Sequence, residues 1–216
     1  MGCNCNRRAK NLKRTATNGR RTTTLAQRRA ELNKPIEGQP SATPVGYVIA
    51  SPYALVAADD YQKELDTWLS VPFRHMGQNI NGVDCIGLVL AVYKQLGLIP
   101  EDLNPVEYSR QWYLTDNIDK HPAFEQLKEA ISLRRIDNPT ELMAGDILCF
   151  AFGKGTEAHV GVLSNRGSIF HAVAGAQADK VIESRFDDNR WRKRFVYAYR
   201  LTTNSTSTTG TSENGR

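Results

Sequence analysis

One segment constrains the fold of this chain more than any other, because it is apolar over most of a helical circumference. Residues 85–96 read CIGLVLAVYKQL, and one helical stripe of the segment consists of Ile86, Val89, Leu90 and Tyr93. A helix with so wide an apolar surface has to lie inside a folded domain. Asp84 is placed to cap its first turn and Gly97 to end it. The chain therefore builds its core around a helix whose first residue is a cysteine.

Further helical patterns lie on both sides of this segment, and strand patterns follow them. Residues 59–69 are predicted to form one helix, with Asp59 as its expected cap and an apolar face made of Tyr61, Leu65, Trp68 and Leu69. Residues 122–131 form a shorter helix that starts at a proline. Five short β-rich segments follow, at 146–152, 158–164, 168–173, 180–184 and 194–201. Helices followed by a meander of strands predict an α+β domain.

The positive charge of the chain lies at its beginning. Residues 1–34 hold ten Lys or Arg and one acid, a net charge of +9, whereas the remainder carries −4. Residues 1–50 contain few large apolar side chains, so we expect a flexible, basic N-terminal arm. Residues 202–216 predict a disordered Ser/Thr-rich tail. The folded domain is expected over 52–201.

Several classes of protein are disfavoured by composition. No stretch of about 18 apolar residues exists, so we expect no membrane insertion. No apolar run follows the first positive charges, which argues against a secretory signal peptide. The cysteines at positions 3, 5, 85 and 149 do not have the pattern of a disulfide framework, so we expect folding in a reducing cytosol.

Cys85 is the candidate nucleophile. The start of a helix offers free N–H groups and partial positive charge, which favour a thiolate and are expected to lower the thiol pKa. The same N–H groups can hold an oxyanion during acyl transfer. A buried, inert cysteine is the alternative interpretation. Cys149, which alternates with Phe150 on a predicted core strand, is expected to be such a packing residue.

Two histidines supply the other half of a catalytic site. His159 and His171 lie on successive predicted strands, and a turn at 165–167 would place them opposite each other in a hairpin. One imidazole can then act as base while the second orients it. The alternatives are two half-exposed strand histidines, or a zinc site formed with Cys85. No Cys-x-x-Cys or His-x-x-x-His spacing and no fourth ligand is present, so we expect no metal or cofactor here.

The region around the cysteine resembles the NlpC family of peptidoglycan endopeptidases. Residues 72–98 match the nucleophile region of that family at Phe73, Arg74, Gly77, Asp84, Cys85, Gly87, Leu88 and Val89. Further resemblance lies in AGDILCFAFG (144–153), AHVGVL (158–163) and IFHA (169–172). The resemblance implies a reduced papain-like fold, in which N-terminal helices, with the nucleophile at a helix N-terminus, pack on a C-terminal antiparallel sheet of about five strands.

The resemblance also implies roles for individual residues. Cys85 would be the nucleophile, His159 the general base and His171 its orienting partner. Phe73, Arg74 and Asp84 would contact substrate. The reaction implied is hydrolysis of stem-peptide amide bonds, in particular the γ-D-glutamyl–diaminopimelate bond.

Two positions depart from the family pattern. Phe73 stands where many relatives have Tyr, which removes a hydroxyl that could assist the oxyanion or bind substrate. Ile86 stands where many relatives have Ser, so recognition of the amine end of the stem peptide is expected to differ.

A narrower likeness concerns residues 108–114 and 191–201, which resemble the branch of the family encoded by tailed phages and gene transfer agents. It implies a tail- or baseplate-associated hydrolase that aids cell-wall penetration during genome delivery. Such a protein is made in the host cytoplasm, assembled into the virion tail, and acts in the periplasm or cell wall. Its partners would be stem peptides and, through residues 1–50, other tail or baseplate proteins.

Other functions remain open. The protein could be a structural tail-tip component with a weakly active or inactive peptidase fold, or a cysteine amidase or acyltransferase. Nucleic-acid binding through the arm is not expected, because the arm lacks interleaved aromatic residues for base stacking. Cys3 and Cys5 are either a pair of exposed thiols or part of a metal site completed by a partner chain.

Overall fold

The computed structural model describes residues 44–110, 122–152, 157–175 and 178–203. The helices are α1 (Ala58–Thr67), α2 (Cys85–Gln95), α3 (Pro122–Ala130) and α4 (Asn189–Arg192). The strands are β1 (Val48–Ala50), β2 (Leu55–Ala57), β3 (Gln78–Asn79), β4 (Gly82–Val83), β5 (Leu133–Ile136), β6 (Ile147–Ala151), β7 (Glu157–Leu163), β8 (Ser168–Val173), β9 (Lys180–Arg185) and β10 (Phe195–Leu201). A short 3₁₀ turn at Pro139–Glu141 precedes β6.

The main sheet is antiparallel, with six strands among the described residues, in the order β5-β10-β6-β7-β8-β9. The predicted α+β class is confirmed, and the five predicted strands correspond to β6 to β10. The sixth strand, β5, was not predicted, because only Ile136 of its four residues is buried and its two arginines face solvent. An edge strand of this kind lacks the alternation that marks a half-buried strand.

Helix α2 packs across one face of the sheet, against β7 and β8. Leu88, Val89 and Val92 are fully buried there, and each such side chain contributes about 1.5–3 kcal/mol relative to exposure. Cys149 on β6 is also fully buried in this core cluster, which confirms its predicted packing role.

The other face of the sheet is buried as well. Phe150, Ile169 and Phe186 form a second cluster, which α4 covers with Trp191. The apolar contacts on both faces hold the central strands rigidly and bring Trp191 close to the predicted site.

Helix α1 differs in detail from its prediction. It begins at Ala58 and has no side-chain cap, and Asp59 instead accepts a hydrogen bond from Asn165 Nδ2 at 3.2 Å. Tyr61, Leu65 and Trp68 are buried as predicted, but Leu69 lies beyond the end of the helix and is 39% exposed.

The folded body also starts earlier than the sequence suggested. Ile49, inside the segment assigned to the arm, is 3% exposed on β1. The rest of the predicted arm, residues 1–43, and most of the predicted tail lie outside the described residues. No helix in the described part of the chain is long and apolar enough to cross a membrane.

Candidate active site

The cysteine at the start of α2 is held in place by the residue before it. Asp84 has an extended backbone, and its Oδ1 accepts a hydrogen bond from the Gly87 N–H at 2.9 Å. This is the capping arrangement that the sequence predicted. Cys85 is half-buried and opens on a cleft.

The second carboxylate oxygen of Asp84 also accepts hydrogen bonds from the protein. Oδ2 accepts hydrogen bonds from the Met76 N–H and from the Tyr108 hydroxyl, both at 2.7 Å, and His75 Nδ1 lies 3.4 Å away. Asp84 is 3% exposed, so its carboxylate ties the start of α2 to two neighbouring segments. The substrate contact expected of Asp84 stays a prediction.

Gly87 permits a close approach of backbone in the first turn of α2. A Cβ at this position would lie 1.8 Å from the carbonyl oxygen of Gly77. No side chain fits this contact, so a glycine is required two residues after the nucleophile. The close packing holds the Met76 N–H against Asp84.

His159 and His171 form a direct hydrogen bond, with His159 Nε2 and His171 Nδ1 2.9 Å apart. His171 is fully buried, and its Nε2 lies 2.9 Å from the Ser184 hydroxyl on β9. A chain of three polar side chains therefore crosses β7, β8 and β9. Ser184 was missed by sequence reasoning, because only the register of β9 brings it to His171.

The register of the hairpin differs from the predicted one. The loop 165–167 is closed by a hydrogen bond from Ser164 N to Ser168 O at 2.9 Å, and Val162 pairs with Phe170. Continuing that register places Gly161, not His159, beside His171. The expectation that the histidines lie directly opposite is wrong. They sit diagonally, and the space above Gly161 lets the His171 ring reach His159.

Trp191 covers the histidine pair. Its ring centroid lies 4.5 Å from that of His171 and 5.6 Å from that of His159, and Trp191 is 4% exposed. The indole keeps water from the hydrogen bond between the imidazoles, which strengthens that bond. Trp191 lies in the segment 191–201 that resembles phage-encoded relatives, but no site role was predicted for it.

Both histidines are neutral at physiological pH. Burial, with a smaller contribution from the nearby Arg190 guanidinium, lowers the pKa of His159 to about 4. Burial also holds the pKa of His171 far below its usual range, with smaller contributions from His159 and Arg190. His159 is therefore present as the free base before the reaction starts.

The thiol of Cys85 is neutral as well. Burial raises its pKa to about 12, and the charge of Asp84 acts in the same direction. Backbone hydrogen bonds from Val160, Ile86 and Cys85 itself oppose this with smaller effect. The expectation of a lowered thiol pKa is therefore wrong, because desolvation outweighs the field of the helix start. The contact with Val160 places the sulfur next to the strand residue that follows His159.

A cleft of about 430 Å³ brings most of the predicted residues together. Its lining includes Phe73, His75, Asp84, Cys85, Tyr108, Arg110, Phe152, His159, Arg190 and Trp191. His171 lies behind His159 and supports it. Arg74 is exposed and is not among the residues that line the cleft, so its predicted substrate contact has no support in the geometry.

Tyr108 supplies a hydroxyl group in the cleft that the sequence analysis did not assign. Phe73 has none, and the Arg110 guanidinium lies 5.3 Å above its ring. The Tyr108 hydroxyl donates to Asp84, and burial followed by the charge of Asp84 raises its pKa. It therefore stays protonated and acts as a donor.

No group of three metal-binding side chains is arranged around a common point in the described part of the chain. Cys3 and Cys5 lie outside the described residues, so their predicted alternatives stay open.

Comparison with known proteins agrees with the site geometry. The profile of the NlpC/P60 family matches residues 70–200, which include every residue of the cleft named above. The chain belongs to the NlpC/P60 family. It is 27% identical over 139 residues to the "Probable endopeptidase NlpC" of Escherichia coli (strain K12). The aligned region covers 64% of this chain and 74% of that protein.

Solved structures of the family are also similar to this chain. The NlpC/p60 domain of the peptidoglycan hydrolase SagA is 17% identical, with a TM-score of 0.44, and covers 68% of this chain and 100% of that domain. An NLP/P60-family protein similar to a lipoprotein, from Staphylococcus aureus, is 18% identical, with a TM-score of 0.46, and covers 68% of this chain and 42% of that protein.

Family membership confirms two predictions at the level of class. The protein is an enzyme of the cysteine peptidase type, and its activity is that of an NlpC/P60 peptidoglycan hydrolase.

Proposed function

We propose that this enzyme hydrolyses the γ-D-glutamyl–diaminopimelate bond of peptidoglycan stem peptides, with Cys85 as nucleophile, His159 as general base and His171 as its orienting partner. The observation that carries the proposal is the 2.9 Å hydrogen bond between His159 and His171, in the cleft that Cys85 also lines. A base held in one orientation beside a thiol is what acyl transfer by cysteine requires.

The protonation states of the site follow from this role. The nitrogen of His159 that takes the thiol proton has to be Nδ1, because Nε2 is engaged with His171. We therefore assign the proton of neutral His159 to Nε2, which donates to His171 Nδ1. His171 then carries its own proton on Nε2 and donates it to the Ser184 hydroxyl. The buried chain fixes the tautomer of the base.

The reaction starts from a neutral pair. As Cys85 Sγ attacks the carbonyl carbon, its proton passes to His159, and backbone N–H groups at the start of α2 hold the oxyanion. His159 then gives the proton to the leaving nitrogen, and the C–N bond breaks to leave a thioester. Water, deprotonated by His159, attacks the thioester and releases the acid and the free thiol.

Digestion of purified sacculi, followed by mass spectrometry of the released muropeptides, tests the proposal. We expect the wild type to cleave between D-Glu and diaminopimelate and Cys85→Ala to release nothing. Cys149→Ala is the matched control, because Cys149 is buried away from the cleft, and it should keep the activity. Cleavage at another bond would refute the substrate. No cleavage by the wild type would favour the structural tail-tip alternative, which the absence of a hydroxyl at Phe73 makes worth testing.

We further propose that the enzyme works on a phage tail or baseplate. Support comes from the charge distribution, with +9 on residues 1–34 and −4 on the rest, which suits docking of the arm on an acidic partner protein. The resemblance of residues 108–114 and 191–201 to phage-encoded relatives points the same way. Deletion of residues 1–43 should spare hydrolysis but abolish incorporation into particles, and normal incorporation would refute the docking role.

A further inference from the structure

Arg190 lies on the wall of the cleft formed by the sheet and α4. Its guanidinium carbon lies 5.5 Å from the centroid of the Trp191 ring, and that ring packs on His159 and His171. The buried indole is a rigid platform, and a cation held over its face is stabilised by the ring quadrupole. Arg190 itself is exposed and lines the cleft.

The charge of Arg190 has no carboxylate partner in the part of the chain that the structure describes. Asp187 is bound to Arg185, with Nε to Oδ1 at 2.8 Å. Asp188 caps α4 by accepting the backbone N–H of Arg190 at 2.7 Å. The carboxylate that lines the cleft, Asp84, has both oxygens occupied by protein donors. The cleft therefore presents a cation whose nearest acidic neighbours are engaged elsewhere.

The position of Arg190 relative to His159 identifies the side of the substrate that it faces. His159 returns the proton to the leaving nitrogen, so the leaving amine has to pass beside it. The Arg190 guanidinium carbon lies 5.5 Å from the centroid of the Trp191 ring, and that centroid lies 5.6 Å from the centroid of the His159 ring. The guanidinium therefore lies on the side of the leaving group.

We infer that Arg190 selects substrates whose leaving amine carries a free carboxylate, as the distal carboxylate of diaminopimelate does. The inference rests on the proposed function, because it specifies the leaving side of that same reaction. A guanidinium matches a carboxylate with two parallel hydrogen bonds, and such pairs are stronger than neutral ones. Amidation of the distal carboxylate removes the negative charge and leaves the rest of the peptide unchanged.

The experiment compares two synthetic tetrapeptides, L-Ala-γ-D-Glu-diaminopimelate-D-Ala and its analogue amidated at the distal carboxylate. The steady-state constants kcat and KM are measured for the wild type, Arg190→Gln and Arg190→Lys. Arg192→Gln is the matched control, because Arg192 is an exposed arginine of the same short helix that does not line the cleft.

We expect Arg190→Gln to lower kcat/KM for the carboxylate peptide by about five- to tenfold, mainly through KM, and to leave the amidated peptide within about twofold. Arg190→Lys should recover part of the loss, and Arg192→Gln should match the wild type on both peptides. The comparison of peptides separates substrate recognition from the effect of Arg190 on the pKa of His159, since that effect acts on both peptides equally.

Equal losses on both peptides, or a wild type that does not distinguish them, would overturn the inference. Binding of the two peptides to Cys85→Ala and to Cys85→Ala/Arg190→Gln, measured by calorimetry, gives a second readout that does not depend on cleavage. A carboxylate preference that disappears with Arg190→Gln supports the inference, and the absence of any preference refutes it. Failure of the wild type to cleave either peptide or sacculi would instead refute the proposed bond.

Discussion

Gly161 leaves the space through which the two histidines meet, so filling it should damage both the fold and the site. In Gly161→Ala the new Cβ would lie 2.7 Å from Ile169 Cγ2, 3.0 Å from the Phe170 carbonyl oxygen and 3.1 Å from His171 Cβ. Ile169 Cγ2 and the Phe170 carbonyl oxygen belong to buried parts of β8 that cannot move aside freely. His171 Cβ carries the imidazole ring that orients His159.

The size of the effect follows from these contacts. Overpacking a rigid core by one methyl group costs about 1–3 kcal/mol. For a domain of this size, each kcal/mol corresponds to roughly 2–4 °C in Tm. We therefore expect Tm to fall by about 4–8 °C for a cost of about 2 kcal/mol. Displacement of His171 should also lower kcat by about tenfold or more, because the base loses its orientation, while KM changes little.

Thermal unfolding followed by circular dichroism and steady-state hydrolysis of a stem tetrapeptide measure the two effects. Ile169→Ala removes the atom nearest to the new methyl group and provides a double-mutant cycle. The loss of stability in the double variant should be smaller than the sum of the two single losses. A Gly161→Ala protein with the Tm and kcat of the wild type would refute the role of this space.

Three further predictions concern the polar groups around the site. Ser184→Ala leaves His171 Nε2 without its partner, so we expect the free energy of unfolding to fall by about 1–3 kcal/mol in urea denaturation and kcat to fall with it, whereas Ser184→Thr should retain both. Tyr108→Phe removes a donor from Asp84, so the less shielded carboxylate should slow alkylation of Cys85 by iodoacetamide at pH 7 to 8, and an unchanged rate would contradict this. Burial keeps His159 neutral in the folded protein down to about pH 4, whereas an unfolded histidine takes up a proton below about pH 6.5. The folded state therefore loses stability as the pH falls from about 6.5 to about 4. Tm should drop across this window, and it should drop less in His159→Gln.

The features that the sequence predicted correctly depend on short-range signals. Asp84 caps α2 through a contact with Gly87, three residues away, and the apolar width of α2 shows that the helix is buried. The strands β6 to β10 follow from β-rich segments separated by turn residues. In each case the information lies within one element, so no knowledge of its neighbours is needed.

The errors arise where the outcome depends on geometry between elements. The predicted pairing of His159 with His171 assumed a hairpin centred on Asn165. The loop is centred on Arg166 instead, so the two histidines lie diagonally across the strands. The thiol pKa was judged from the helix start alone, but the depth of Cys85 between α2 and β7 decides it. Ser184 and Trp191 reach the site only through tertiary packing, and no pattern along the chain marks them.

The neutral state of both catalytic groups follows from their burial. Trp191 covers the imidazole pair, and burial lowers the pKa of His159, while burial of the sulfur raises the pKa of Cys85. A resting thiolate–imidazolium pair would be costly in such surroundings, so charge has to develop only as the thiol attacks. The positive charge of Arg190 also disfavours a protonated His159, so the base stays neutral until the thiol proton is transferred.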